Sequence, residues 1–486
     1  MVILNDMMMK KKYVYKWLTL SFLSFTLILF AACSENVLDL VPVTQRTLTN
    51  FYNNEAQIDA GVNGAYGLLQ RQGQYGSGLI VLGEIPSDNT YSEVPANDGG
   101  NYGQLDLFSS IALNTVLDSA WTHAYRGIQQ CNVILNRIPA VEMDETVKNH
   151  RRGEILFIRA LSYFNLVRVF GDVPLVVHET TDVNAYFGQG RTPRAEVYRQ
   201  ILSDLAESVA LLPQAPDRPG RVALGAALTL QGKVYLTLKR YDEAIAALNQ
   251  VLPLGYVLLP DPEAVFDPAN KNNQEMVFSV QFASGVNGNT EGSSAFQLFS
   301  PSGSVGGAKG HNLPTREMYQ LYSQQDRRRQ AYVAVRNNGV VFSRKFRQTS
   351  IDPVDGGSHV AVLRYPDVLL MLAECYNEAP NRNPTRAMEY LDMVRTRAGL
   401  TSPTTTVGQA ALRDAISLER RLEFVGEGHR WFDLIRTDQA VEVMNAYFER
   451  TPGYQTIRIN ENHLVQPIPQ SQINADPATI QNIGYN

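Results

Sequence analysis

Apolar residues recur at helical spacing through most of this chain, and the pattern is densest between Val362 and Arg436. Val368, Leu369, Leu372 and Tyr376 fall at i, i+3 and i+4 steps, which places them on one face of a helix. Pro366 suits the first turn of that helix, where a backbone N–H would have no partner. Ala387, Leu391 and Val394 repeat the stripe on a second helix, with Gly399 as its C-terminal stop. Ile416, Leu422 and Phe424 lie on a third, which is dense in charge. Neither of the first two helices could bury its apolar face alone, so each needs a neighbour. That is the logic of a stacked helical array.

The same logic recurs upstream. Between Arg221 and Leu252, Gly232, Tyr235, Tyr241, Ala244 and Leu248 follow the small, aromatic, aromatic, small, large spacing of a tetratricopeptide repeat. Ala373, Tyr376, Ala387 and Leu391 keep that register with two extra residues in the turn, and Ala160 and Tyr163 repeat its first step. Four helix pairs are expected. Residues 51–70 read as a helix capped by Thr49 or Asn50. Trp121, Tyr125, Ile128, Val133 and Leu135 mark another, followed by a helix ending at Gly171 and one from Pro193 to Leu212. Residues 70–113 lose helical periodicity and are rich in Gly, Asn, Asp, Ser and Tyr, which predicts exposed loops. Glu275–Phe282 alternates and is β-rich, so a short strand is expected. Residues 283–310 are again loop-like, 311–360 mix short elements and turns, and the C-terminal stretch is extended and punctuated by proline.

Composition narrows the class. The chain has 486 residues, a formal charge of −5 and no basic run, which argues against nucleic acid as a partner. Lys10, Lys11, Lys12 and Lys16 precede an apolar run from Trp17 to Phe30, then Ala31, Ala32 and Cys33. This is the order of a secretory signal, and the run is too short to span a bilayer comfortably. Cys directly after Ala-Ala resembles a bacterial lipobox, although Phe30 stands where Leu is usual. The expectation is a signal peptide over 1–32, lipidation at Cys33 and a tether over 33–48. Cys131 and Cys375, the two remaining cysteines, fall in helical patterns and are read as buried free thiols rather than a bridge.

FIRALSYFNLVRVFGDVPL, GRVALGAALTLQGKVYL, EMVFSVQF, RYPDVLLMLAECYNE, VRTRAGL, ERRLEFVGEGHRWFDLIR and the PIP–QNIGY tail occur in order along the mature chain. Together with the lipobox they resemble the SusD/RagB family. The resemblance implies a mainly α fold: a tetratricopeptide-like α/α superhelix with a loop-rich, mixed insert. Its N-terminal region would be 49–270, with ligand-side loops at 70–113. Its C-terminal region would be 271–486, with a loop insert at 283–360 and a helix pair at 362–399. It also implies a non-catalytic, cell-surface outer-membrane lipoprotein. Such a protein binds an oligosaccharide and passes it to a SusC-like TonB-dependent transporter, with the exposed helices as the docking face. Peptide or other nutrient binding, as in the RagB branch, is the alternative, and a surface glycan hydrolase a weaker one.

Glu419, Glu423, Glu427, His429 and Asp433 make the ERRLEF–GHRWFD stretch look catalytic. Arg420, Arg421 and Arg430 are at hand to pair with them, and neighbours on one helix face cannot flank a glycosidic bond as a glycosidase requires. These residues are read as structural, so no catalytic residue is assigned. No histidine or cysteine spacing supports a zinc site. Asp88, Asp98 and Asp106 lack the regular spacing of a calcium loop. No metal and no cofactor are expected. A sugar site needs a ring face for C–H groups and polar side chains for hydroxyls. The family places its ligand surface in variable loops, so the candidates are Tyr75, Asp88, Asn89, Tyr91, Asn101 and Tyr102, with a second patch at Phe296 and Phe299.

Overall fold

A computed structural model describes Trp17 and residues 51–485, apart from 183, 286–287, 289–290 and 402–407. The chain divides into two units, Met1–Asn53 and Asn54–Asn486, and every element named below lies in the second. The signal peptide, Cys33 and the proposed caps Thr49 and Asn50 lie outside the described residues. The first helix is capped instead by Asn54, whose side chain accepts from the Gln57 N–H at 3.0 Å.

Ten helices of nine or more residues form the frame among the described residues. They are α1 (Glu55–Leu69), α2 (Thr115–Arg137), α3 (Glu145–Phe170), α4 (Arg194–Leu211), α5 (Leu224–Thr237), α6 (Tyr241–Asn249), α7 (Tyr365–Glu378), α8 (Pro384–Arg397), α9 (Gln409–Phe424) and α10 (Ala440–Arg450). From α1 to α8 each helix packs on the next, and α9 closes against α7. The mainly helical superhelix expected from the sequence is therefore present. The α5–α6 crossing shows how close the packing is. A Cβ on Gly232 would lie 2.5 Å from two atoms of Leu248, so only glycine fits there. Ala373 and Ala387 are fully buried at the α7–α8 crossing, and Gly399 follows α8 with φ 80°. Cys131 and Cys375 are buried free thiols. No helix among the described residues is long and apolar enough to cross a membrane.

Six short strands pair two by two: β1 (Thr90–Tyr91) with β3 (Leu313–Pro314), β2 (Met276–Val280) with β6 (Val360–Arg364), and β4 (Val333–Val335) with β5 (Val341–Ser343). The antiparallel β2–β6 pair closes the neck of the loop insert, and β6 runs directly into α7. β1–β3 then fastens the 90s to the 310s.

A buried ionic lattice holds the C-terminal helices to these strands. Glu423 receives Arg397 at 2.6 Å, Arg364 at 3.0 Å and Arg328 at 3.0 Å. Arg364 also reaches Glu275 and Glu427, each at 2.8 Å, and Arg328 reaches Glu419 at 2.7 Å. Asp367 takes Lys233 at 2.9 Å and Arg420 at 2.8 Å. Burial alone would raise the Glu423 carboxyl, but the surrounding guanidinium groups hold it well below the usual carboxylate range. The ERRLEF carboxylates are thus ion-paired and enclosed, as the sequence reading expected.

Candidate functional site

The stretch 70–113, read as exposed loop, is largely packed. Residues 72–76 make one turn of π-helix, 78–84 and 101–106 are short helices, and the chain from Gly73 to Thr90 is buried throughout. Five of the eight candidate residues, Tyr75, Asp88, Asn89, Tyr102 and Phe299, are therefore buried. The Tyr75 hydroxyl accepts from Asn165 at 3.0 Å, and burial pushes it up to about 12. Asp88 is enclosed between Arg430 at 2.8 Å and Arg421 at 3.0 Å. Asn89 donates to Glu84 at 3.0 Å and accepts from Arg421 at 2.6 Å. Phe299 packs edge-on against Phe346 with centroids 4.9 Å apart. For Tyr75, Asp88 and Asn89 the physical reason is the same: polar surroundings signalled a turn, but their hydrogen-bonding groups are satisfied by arginines and amides from distant helices, whereas Phe299 is taken up by ring packing.

Tyr91, Asn101 and Phe296 lie nearer the surface, and of the eight only the buried Tyr102 lines a cleft. Tyr91 is half-buried on β1, and Phe296 is half-buried on the short helix 295–299. Asn101 starts the helix 101–106. It accepts from the Thr115 N–H at 2.8 Å and so fixes the approach to α2. Tyr102 lines a cleft of about 260 Å³ together with Gln72, Ser77, Asp98, Leu298 and Lys309. Its ring stacks on His311 at 3.8 Å and 11°. The cleft joins the two regions that the sequence offered as separate patches, because Lys309 and His311 bond back to Gln297 and Leu298 while β3 pairs with β1.

Asp98 is the polar centre of this cleft. It sits in a tight turn where Asp98, Gly99 and Gly100 all take left-handed backbone angles, φ 52°, 68° and 78°. Its carboxylate accepts from Lys309 at 2.7 Å and meets His311 Nε2 at 2.9 Å. Partial burial works against ionisation, yet Lys309 and His311 keep the carboxyl below its usual range. His311 Nδ1 in turn lies 3.0 Å from Ser92 Oγ. Burial lowers the imidazole below its ordinary value, against the pull of Asp98. A Ser–His–Asp line is superficially hydrolytic, but its geometry is inverted. Ser92 and His311 are buried, and the carboxylate faces the cleft, so no nucleophile is presented to a substrate. What the cleft offers is an ionic pair neutralised internally, hydroxyl and amide groups, and a ring. That inventory suits an uncharged, hydroxyl-rich ligand.

Lys309, Gln72 and Ser77 line the cleft but are not among the sequence candidates, and Asp98 enters the sequence reading only as a candidate calcium ligand. The signal that could have found them is the paired turn chemistry of NDGG and the Lys-Gly-His run at 309–311. Among the described residues no cluster of histidine, cysteine, aspartate and glutamate is arranged to hold a metal ion. Asp88, Asp98 and Asp106 have separate partners.

Comparisons with known proteins agree with one another. A model of the SusD family matches residues 330–485, and one described as "Starch-binding associating with outer membrane" matches 38–236. SusD-like protein P25 of Formosa agariphila is 24% identical over 495 residues, which takes in 90% of this chain and 93% of that protein. A laminarin-binding SusD-like protein of solved structure is 28% identical, with a TM-score of 0.76 over 89% of this chain and all of the other. A SusD superfamily protein from Parabacteroides distasonis is 25% identical, with a TM-score of 0.78 over 88% of this chain and 99% of the other.

Proposed function

The chain belongs to the SusD/RagB family, and on that premise we propose that it is an outer-membrane surface protein that binds a neutral oligosaccharide without cleaving it. The glycan-binding proteins of this family are non-catalytic. The observation that carries the reading is the cleft between the Asp98 turn and the 295–311 segment. It draws on both loop regions and carries an internally balanced pair of charges. Of the eight sequence candidates, Tyr102 lines this cleft and Asn101 shapes it. Tyr91 and Phe296 are not among its lining residues, although Leu298 of the same short helix as Phe296 is. Asp98 and Lys309 would hydrogen-bond sugar hydroxyls, and Leu298 with the Tyr102 ring would cover C–H faces.

The laminarin-binding relative and the starch-binding family description both point to glucose polymers, so glucan oligosaccharides are the ligands to test. Delivery to a SusC-like TonB-dependent transporter and anchorage through lipid on Cys33 complete the proposal. The family resemblance supports the first and the lipobox order of Ala31, Ala32 and Cys33 the second. Calorimetric titration of the full chain with laminarin and maltose oligosaccharides tests the reading. Lys309→Ala should weaken the bound glucan at least tenfold. Affinity that is unchanged in Lys309→Ala and in Gln72→Ala would remove this cleft from consideration. Saturable binding of peptides in place of either glucan would favour the nutrient alternative.

A further inference from the structure

The helical scaffold carries a second, larger cleft, of about 360 Å³, formed by α3, α4, α5, α7, the 430–436 helix and the tail at Leu464 and Val465. Six cations line it, Arg168, Arg194, Lys233, Lys239, Arg420 and Arg436, against two carboxylates, Asp433 and Asp438. Four of the six are committed. Lys233 pairs with Asp367, Arg420 with Asp367 and Asp433, Arg436 with Glu374 and Asp433, and Lys239 with Asp438. Arg168 and Arg194 make no ion pair with a carboxylate among the described residues.

Arg168 is the unusual one. Its guanidinium lies between two rings, 4.1 Å from the centroids of both Phe164 and Phe432. Its hydrogen bonds go to neutral acceptors, the Phe164 carbonyl at 3.2 Å and Asn165 Oδ1 at 2.6 Å. Burial pulls its pKa below the ordinary arginine value, and burial does the same to Lys233 beside it. Asp433 and Asp367 act on it only from a distance, so the half-buried guanidinium keeps no carboxylate within ion-pair reach and is open to one from a ligand. On α4, Arg194 and Tyr198 are one turn apart and share a face. The Tyr198 ring packs against Phe164 at 6.4 Å, and its hydroxyl has no hydrogen-bond partner among the described residues. Two guanidinium groups without a paired carboxylate, one half-buried and one exposed, and a phenol hydroxyl therefore line one cavity that can hold a sugar-sized molecule.

We propose that this cleft is a binding site for a small oxyanion, a sulfate, phosphate or carboxylate group free or carried on a molecule of about monosaccharide size. Arg168 and Arg194 are its charge partners and Tyr198 a further donor. Guanidinium forks match the paired oxygens of such groups. The site is separate from the glycan cleft and stands without it, since its lining shares no residue with the Tyr102 cleft.

Calorimetric titration of the full chain with sodium sulfate, glucuronate and glucose, at ionic strength held constant with chloride, tests the proposal. Sulfate or glucuronate should bind saturably and glucose should not. Tighter binding of glucuronate than of sulfate would assign an acidic sugar; the reverse would assign a free inorganic ion. Arg168→Gln should weaken the bound anion at least tenfold, and Arg194→Gln severalfold. Arg194 is exposed, so its variant keeps the test alive if Arg168→Gln does not fold. Absence of saturable binding by both anions, or binding unaltered in Arg194→Gln and in every folded Arg168 variant, overturns the proposal.

Discussion

Arg364 shows what a single buried charge does in this protein. It lies 1% exposed and serves Glu275, Glu423 and Glu427 at once. Arg364→Met keeps most of the volume but removes the cation that three buried carboxylates share, leaving Glu423 to Arg397 and Arg328, Glu275 to Arg397, and Glu427 to Lys345. The expected cost is roughly 3–5 kcal/mol, read from urea unfolding, because breaking a buried pair leaves an uncompensated charge. Asp106 makes the opposite case. It is 4% exposed, accepts from Tyr454 at 2.8 Å and from the Ser92 N–H at 3.2 Å, and meets no cation. Burial pushes its carboxyl up to about 7, and those two hydrogen bonds only partly offset the rise. The native chain therefore takes up a proton near pH 7 that the unfolded chain takes up only near pH 4. Its contribution to stability is fully present below about pH 4 and is lost as pH rises through 7. Asp106→Asn can accept the same two hydrogen bonds without ionising. Urea unfolding at pH 4, 6 and 8 should show the variant gaining on the wild type as pH rises, by on the order of 4 kcal/mol in the limit. A difference that stays flat across that range would show that Asp106 is ionised and paid for by other means.

Helix contacts set the next scale, and Gly232 is their most exacting position. Gly232→Ala forces a Cβ into Leu248, so α5 and α6 must separate or Leu248 must leave its rotamer. Overpacking of this kind costs about 1–3 kcal/mol. Leu248→Ala alone opens a cavity and costs about 2–5 kcal/mol. The double variant should be less destabilised than the sum of the two, because the small residue simply changes sides; strict additivity in denaturant unfolding would mean that the contact is not the constraint. This is also where the sequence was most legible. Gly232, Ala373 and Ala387 stood out because a helix crossing tolerates only small residues at fixed intervals, and that constraint is local. The candidate site was less legible because its constraints are not local. Asp88 and Asn89 read as turn residues, yet Arg421 and Arg430, more than 300 positions later, enclose them. Conversely, Lys309 looked like one lysine in a glycine-rich loop until the β1–β3 pairing carried it to Asp98.

At the scale of the whole molecule, the proposed binding and the proposed anchoring fall on different sides of the division at Asn53. The cleft proposed for glycan is built wholly from residues between Gln72 and Lys309, all inside the Asn54–Asn486 unit. The proposal puts attachment on a different part of the chain, the Ala-Ala-Cys33 junction. Several acyl chains on one residue would give stable attachment, since each buried methylene contributes about 0.8 kcal/mol and one chain alone binds only reversibly. If the two tasks are carried by separate units, they can be lost separately. Cys33→Ser should shift the protein from the membrane fraction to the soluble fraction of lysed cells, while titration with glucan oligosaccharide gives the same affinity as the wild type. A Cys33→Ser protein that still sediments with membranes would place attachment elsewhere. One that is released but no longer binds glucan would mean that the N-terminal unit takes part in the site.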